Sequence, residues 1–309
     1  MNSEYSPVTL FVYNRPEHTQ QVIDALRENY LARDSELIIF SDAPKDIGER
    51  DDVEQVRSYI KSIEGFKKLI VIERDSHFGL SRSIISGVTE VIRRYGKIIV
   101  LEDDLVTSPH FLEFMNDALC LYEHEERVIS VCGYMYPISN MYTGTLFLRV
   151  ADCWGWATWK RGWDLFEPDG KKLLIELRDK KVVREFNLDG AFNYSGLLRQ
   201  QIKGKRDSWS IRWFASAFLN GKLTLFPTKS LVKNIGFDNT GTHRGFINGY
   251  DARISQEAIP VISMPVQENE EVVNAIKGFH KRRKLRFISQ SCFSLYQSVK
   301  KSISCELHS

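Results

Sequence analysis

No stretch of the 309 residues approaches eighteen consecutive apolar side chains, so no membrane-spanning helix is expected. The opening Met1-Asn2-Ser3-Glu4-Tyr5-Ser6-Pro7 has no basic flank leading into an apolar run. A secretory signal is therefore not expected, and the cytoplasm is the expected compartment. Cysteine is scarce: Cys120, Cys132, Cys153, Cys292 and Cys305 are scattered and form no CxxC pair. That argues against a disulfide framework and against a structural zinc site. No GxGxxG follows the first apolar segment and no GxxxxGK[ST] occurs anywhere, which argues against a dinucleotide oxidoreductase and a P-loop ATPase. Glycine (19) and proline (9) are ordinary, and no repeat or low-complexity tract appears.

What is present is material for a large core. Apolar residues make up 43% of the chain and aromatics 12%, enough for one large domain or two modest ones. Charge is unevenly placed. Residues 277–309 hold eight Lys and Arg against one acid, leaving 34 basic and 39 acidic residues in 1–276. An acidic body argues against a general nucleic-acid binder, and a basic tail argues for a local anionic partner. Phe279 to Ile288 and Cys292 to Lys301 interleave basic and large apolar residues. Such a helix suits an anionic membrane surface, or it packs its apolar face on the body.

The first hundred residues alternate in character. Val8–Tyr13, Leu37–Phe40, Leu69–Ile72 and Lys97–Leu101 are short apolar runs that predict buried strands. Between them, Pro16 to Tyr30, Val53 to Ile63 and Leu80 to Ile92 show helical spacing of apolar residues. Strand and helix in alternation predict a parallel sheet covered on both faces, with a doubly wound strand order. In such sheets ligands sit at the carboxyl ends of the strands. There this chain turns polar, with Asn14-Arg15, Ser41-Asp42, Ser76-His77 and Glu102-Asp103-Asp104. The second half holds all six tryptophans, Trp154 to Trp213, and reads as mixed strands and helices.

Three adjacent carboxylates at the end of a buried strand repel one another, and a hard dication such as Mg²⁺ or Mn²⁺ is a natural remedy. Leu101-Glu102-Asp103-Asp104-Leu105 resembles the metal motif of GT-A glycosyltransferases, and its Glu-Asp-Asp form resembles the N-acetylglucosaminyltransferase I-like group. The opening Phe11-Val12-Tyr13-Asn14-Arg15-Pro16-Glu17 is similar to bacterial sugar transferases of polysaccharide synthesis. The resemblance spans roughly residues 7 to 245. It implies a GT-A, Rossmann-like, mostly parallel α/β fold with a mixed acceptor-binding half. On that basis residues 1–125 form the nucleotide-sugar half, 126–276 the acceptor and base half, and 277–309 the basic tail.

Residue by residue, the resemblance implies Asp104 as metal ligand and His243 as a further candidate toward metal or diphosphate. It implies Asn14, Arg15, Ser41, Asp42, His77, Glu102 and Asp103 as donor contacts. Arg206-Asp207-Ser208-Trp209 resembles the family's Asp-Asp-Trp element, which makes Asp207 the base, with Ser208 departing from the pattern. The expected reaction moves a sugar from a nucleotide donor, a UDP-sugar by analogy, to a hydroxyl of a glycan or lipid-linked glycan. A dication offsets charge on the departing diphosphate, and one carboxylate takes the acceptor's proton. With no second nucleophile evident, a single displacement with inversion is expected. Cys153-Trp154-Gly155-Trp156 offers a sugar platform or core packing, and Trp154, Gly155, Trp156 and Trp209 are the acceptor-side candidates. The competing readings are a sugar-1-phosphate nucleotidyltransferase and a non-enzymatic carbohydrate-binding, membrane-peripheral protein. The first needs a Gly-rich basic loop where Asn14-Arg15-Pro16-Glu17 stands. The second has no use for the acidic triplet.

Overall fold

The apolar runs of the first hundred residues are strands, and their alternate side chains feed two separate cores. The computed structural model describes residues 5–139, 143–237 and 249–285. The chain begins β1 (Val8–Val12), α1 (Pro16–Arg27), β2 (Glu36–Ser41), α2 (Arg50–Lys61), β3 (Lys68–Glu73), α3 (Leu80–Tyr95) and β4 (Lys97–Glu102). Val8, Leu10, Leu37, Ile39, Ile99 and Leu101 face one core, with Ile23 and Leu26 of α1 and Ile60 of α2. Phe11, Ile38, Phe40, Ile98 and Val100 face the other, with Ile84, Val88 and Ile92 of α3. β1, β2 and β4 are thus buried on both faces, whereas β3, expected as a buried strand, is the sheet edge and only partly buried; full burial of one such side chain is worth roughly 1.5–3 kcal/mol. Pro16 starts α1 with a missing amide that no helix needs there. Gly96 ends α3 in the left-handed region at φ 78°, with Arg93 and Arg94 in its last turn facing the negative end of the dipole.

The second half adds β5 (Leu105–Thr107), α4 (Phe111–Leu121), β6 (Val128–Cys132), β7 (Thr145–Leu148), β8 (Trp156–Trp159) and α5 (Lys160–Trp163). Then come α6 (Gly170–Asp179), α7 (Val183–Phe186), α8 (Tyr194–Ile202), α9 (Ser210–Leu219), β9 (Leu223–Pro227) and β10 (Val232–Asn234). Eight strands form one sheet in the order β3-β2-β1-β4-β8-β6-β9-β7, and β10 pairs with β5 apart from it. β1 is parallel to both β2 and β4, with Val8 opposite Leu37 and Ile99. β4 is antiparallel to β8, so the sheet is parallel on one side and mixed on the other. Both halves of the chain share it.

The order reverses at β1. The chain steps outward through β2 and β3, and α3 then brings β4 back to the other side of β1. That split lies beside the carboxyl ends of β1 and β4, the place where open α/β sheets bind ligands. Helical residues 270–285 bury Val272, Val273, Ile276, Phe279 and His280 against the body. Lys277 pairs with Asp189 at 2.7 Å. The described part of the basic tail is therefore a docked helix, with Lys281, Arg282 and Lys284 left exposed. Residues 286–309 lie outside the described residues. Among the described residues, no helix is long and apolar enough to cross a membrane.

Candidate functional site at the carboxyl edge of the sheet

At the end of β4, Asp103 is 4% exposed and its carboxylate pairs with the Arg15 guanidinium from the end of β1. Arg15 also reaches Asp104, with Nη1 and Nη2 3.4 and 3.3 Å from Oδ2. Burial works to lower the Arg15 pKa, but the two aspartates outweigh it and hold the group firmly charged. Burial pushes the Asp103 carboxyl up, and Arg15 opposes that rise. Glu102 has one cation to share with two other acids. Burial first, then Asp104 and Asp103, push its carboxyl up to about 8.

This corner fits a hard dication by the chemistry of its donors. Asp103 and Asp104 share one guanidinium, and the Glu102 carboxyl lies within electrostatic reach of all three. Asp104 is bounded by a glycine: an added Cβ on Gly236 would stand 2.4 Å from Asp104 Oδ2 and 3.0 Å from Arg15 Nη1. The space beside that oxygen is thus kept free of any side chain from residue 236. Among the described residues, no group of three or more His, Cys, Asp or Glu is placed to hold a metal ion. Mg²⁺ and Mn²⁺ commonly rest on one or two carboxylates plus substrate phosphates, so an open corner suits them. His243 lies outside the described residues.

Ser41 and Asp42, at the end of β2, act within the chain. Ser41 is fully buried and its Oγ accepts from Arg57 Nε at 3.4 Å. Asp42 Oδ1 accepts from the amides of Ala43 at 2.9 Å and Phe78 at 2.8 Å, and Oδ2 from the Gly79 amide at 2.8 Å. Asp42, expected as a donor contact, is thus engaged by three backbone amides. Its carboxylate fastens the loop that leads into α3. That loop places His77, whose Nδ1 lies 2.9 Å from the Ala43 carbonyl and 3.2 Å from Asp42. The His77 ring sits 5.1 Å from the Tyr13 ring. Glu49 accepts from both Tyr13 Oη and Asn14 Nδ2, which fixes the loop after β1.

Asp207 comes to the same edge from the other half of the chain. Its Oδ2 accepts from the Ser81 amide at 3.2 Å, in the first turn of α3. Gly79 lies just before that turn, in a backbone conformation that favours glycine. Its φ is 73°, and an added Cβ would stand 3.6 Å from Asp207 Oδ2 and 3.9 Å from His77 Nε2. Asp207 is exposed, so it is open to a substrate. Behind it Arg212 is 8% exposed, donating to the Ser208 and Pro168 carbonyls at 3.2 and 3.1 Å. Burial lowers the Arg212 pKa and Asp207 opposes that. Arg212 and Glu49 escape a motif search. Arg212 is visible in the sequence only as the one charge in Ser210–Leu219.

The tryptophans divide. Trp154 is partly buried, in edge contact with Tyr134 at 4.6 Å, Phe237 at 5.7 Å and Tyr250 at 5.8 Å. Trp156 and Trp209 are 0% and 2% exposed, and Trp156 packs against Trp163, Trp209 and Trp213. Their expected acceptor role is corrected, because a fully enclosed indole has no face to offer. Gly155 is likewise a packing glycine: at φ 61°, an added Cβ would meet Val232 Cγ2 at 2.6 Å. Its close approach is to Val232 of β10 and to Phe111.

No family model and no curated protein sequence matches the chain. Among solved structures, it is similar to the mannosyltransferase PcManGT from Pyrobaculum calidifontis, in complex with GDP-Man and Mn²⁺. Identity is 13%, the match covers 71% of each chain, and the TM-score is 0.40. It is also similar to TarS from S. aureus, at 12% identity over 44% of this chain and 23% of that one, with a TM-score of 0.31.

Proposed function

We propose that this chain is a GT-A glycosyltransferase that uses a dication to move a sugar from a nucleotide-sugar donor, a UDP-sugar, to a glycan hydroxyl. One observation carries the reading. Acids from the two halves of the chain, Asp104 after β4 and Asp207 before α9, are brought to the same carboxyl edge of the sheet, beside Arg15 and His77.

Asp104 would hold the dication, with Glu102 and Asp103 beside it in the chain. The ion, when bound, would offset charge on the leaving diphosphate. Arg15 adds fixed positive charge on the same side. Tyr13, Asn14 and His77 line the donor end, and Ser41 and Asp42 act by holding the His77 loop. Asp207 would accept the proton of the attacking hydroxyl while Arg212 steadies its charge from behind. One such base, with no second nucleophile placed beside it among the described residues, supports single displacement with inversion. Trp154, with Tyr250, offers ring faces and edges to the acceptor. A role in surface polysaccharide synthesis, with a lipid-linked acceptor and cytoplasmic membrane contact through the tail, completes the reading. The exposed Lys281, Arg282 and Lys284 support the membrane contact.

A thermal-shift panel of UDP- and GDP-sugars, with and without MnCl₂, tests the proposal. A Mn²⁺-dependent rise in melting temperature with a UDP-sugar is expected. A flat panel across all nucleotide sugars would overturn it.

A further inference from the structure

We propose that Arg15 is an internal counter-ion that competes with the dication for Asp104, so that cation and nucleotide diphosphate enter as a coupled pair. This rests on the glycosyltransferase reading above and adds a rule for how the site is filled. Both terminal nitrogens of the Arg15 guanidinium lie 3.3–3.4 Å from Asp104 Oδ2, and Nη2 also bonds Asp103. The oxygen proposed to hold a dication is thus already held by a monocation.

Neither partner has room to step aside freely. The Arg15 and Asp104 side chains are only 19% and 18% exposed. The Asp104 carbonyl accepts from the Ile235 amide at 2.8 Å, which fixes its backbone. Gly236 borders the same oxygen, a hypothetical Cβ there lying 2.4 Å from Asp104 Oδ2 and 3.0 Å from Arg15 Nη1. A dication on Asp104 Oδ2 would therefore stand against a guanidinium at close range. Like charges in a partly desolvated corner repel strongly. Asp103 offers Arg15 a second hold, so the guanidinium can stay on Asp103 while Asp104 is released. An incoming diphosphate brings the negative charge that offsets the remaining repulsion. The coupling is reciprocal: the factor by which nucleotide strengthens cation binding is the factor by which cation strengthens nucleotide binding.

The test is Mn²⁺ binding to the full chain, followed by electron paramagnetic resonance of free Mn²⁺, with and without UDP. The wild type is expected to bind Mn²⁺ at least about tenfold more tightly with UDP present. Arg15→Gln should bind Mn²⁺ about tenfold more tightly than wild type without UDP and lose most of the coupling. Arg15→Met, a second neutral variant, should behave the same and keeps the test open if one variant misfolds. Arg15→Lys, which keeps the charge, should stay near wild type. Unchanged or weaker Mn²⁺ binding in the neutral variants would overturn the competition, as would a gain in Arg15→Lys equal to theirs. Asp104→Ala separates the two levels. If it leaves Mn²⁺ binding intact, the metal reading itself fails; if it abolishes binding while the Arg15 variants change nothing, only the counter-ion role fails.

Discussion

Asp207 accepts a hydrogen bond at 3.2 Å from the amide of Ser81, a residue 126 positions earlier in the chain. A carboxylate at the amino end of a sixteen-residue helix is favoured by the dipole and by the unpaired amides there. The proposed base is thereby fixed on the first half of the chain while remaining exposed.

Asp207→Asn keeps a hydrogen-bond acceptor for Ser81 and removes the proton acceptor. Transfer should fall by about 10²–10⁴-fold, the usual range for a lost general base, with UDP-sugar affinity retained. Steady-state transfer assays paired with calorimetric UDP binding check this. Turnover at the wild-type rate would remove Asp207 from the chemistry.

Asp104→Ala should abolish the Mn²⁺-dependent part of nucleotide binding and leave the fold intact. Thermal shift with UDP, with and without MnCl₂, reads both effects. A full Mn²⁺-dependent shift in the variant would move the cation elsewhere.

Asp42→Ala would strand the amides of Ala43, Phe78 and Gly79, which now donate to its carboxylate. Leaving a buried donor unsatisfied costs about 1–3 kcal/mol, and several amides share this acceptor. Urea denaturation should show a clear fall in stability together with a raised donor KM, because His77 rides on the same loop. A variant as stable as wild type would show that water replaces the carboxylate.

Gly236→Ala tests the glycine that bounds the cation corner. Its new methyl would land 2.4 Å from Asp104 Oδ2. Donor binding with Mn²⁺ should weaken at least tenfold while circular dichroism stays unchanged. Equal affinity would show that the strand end shifts at little cost.

Protonation of His280 should loosen the docked C-terminal helix. The ring is 3% exposed among Tyr136, Phe192, Tyr250 and Phe279, and neither nitrogen has a partner among the described residues. Burial, and then the Arg283 charge, lower its pKa from 6.5 to about 4. The unfolded chain therefore binds a proton that the folded chain refuses across this window. The His280 contribution is complete above about pH 6.5 and declines by up to about 3 kcal/mol as pH falls toward 4. His280→Phe should flatten stability against pH between 4 and 6.5. An unchanged slope in urea melts would assign it to other groups.

The positions of β1 to β4, and of the helices between them, are legible in the sequence. An apolar run bounded by polar turns has few alternatives when both faces of a sheet must be covered. The acids at the strand ends are legible for the same reason, since a buried strand that stops at Glu102-Asp103-Asp104 must put them at its carboxyl edge. The tryptophans are not legible in this way. Trp154 and Trp156 are two residues apart with the same side chain, yet one is partly open and the other enclosed by three indoles. Residue type sets how much apolar surface seeks cover, not which neighbour supplies it. The tail shows the same limit: a basic amphipathic pattern suits a membrane or the body, and through residue 285 it packs on the body.

Local pattern alone determined the alternating elements, the double-sided burial of β1, β2 and β4, and the edge on which the polar residues collect. Those follow from periodicity and from the need to pair every buried amide. Tertiary structure alone decided how those polar residues are spent: Asp42 on backbone amides, Arg15 on Asp103 and Asp104, Asp207 on α3. Such partnerships join residues 36 to 126 positions apart. They depend on β4 lying beside β1 and on the second half of the chain returning to the edge of the first, a strand order that periodicity does not encode.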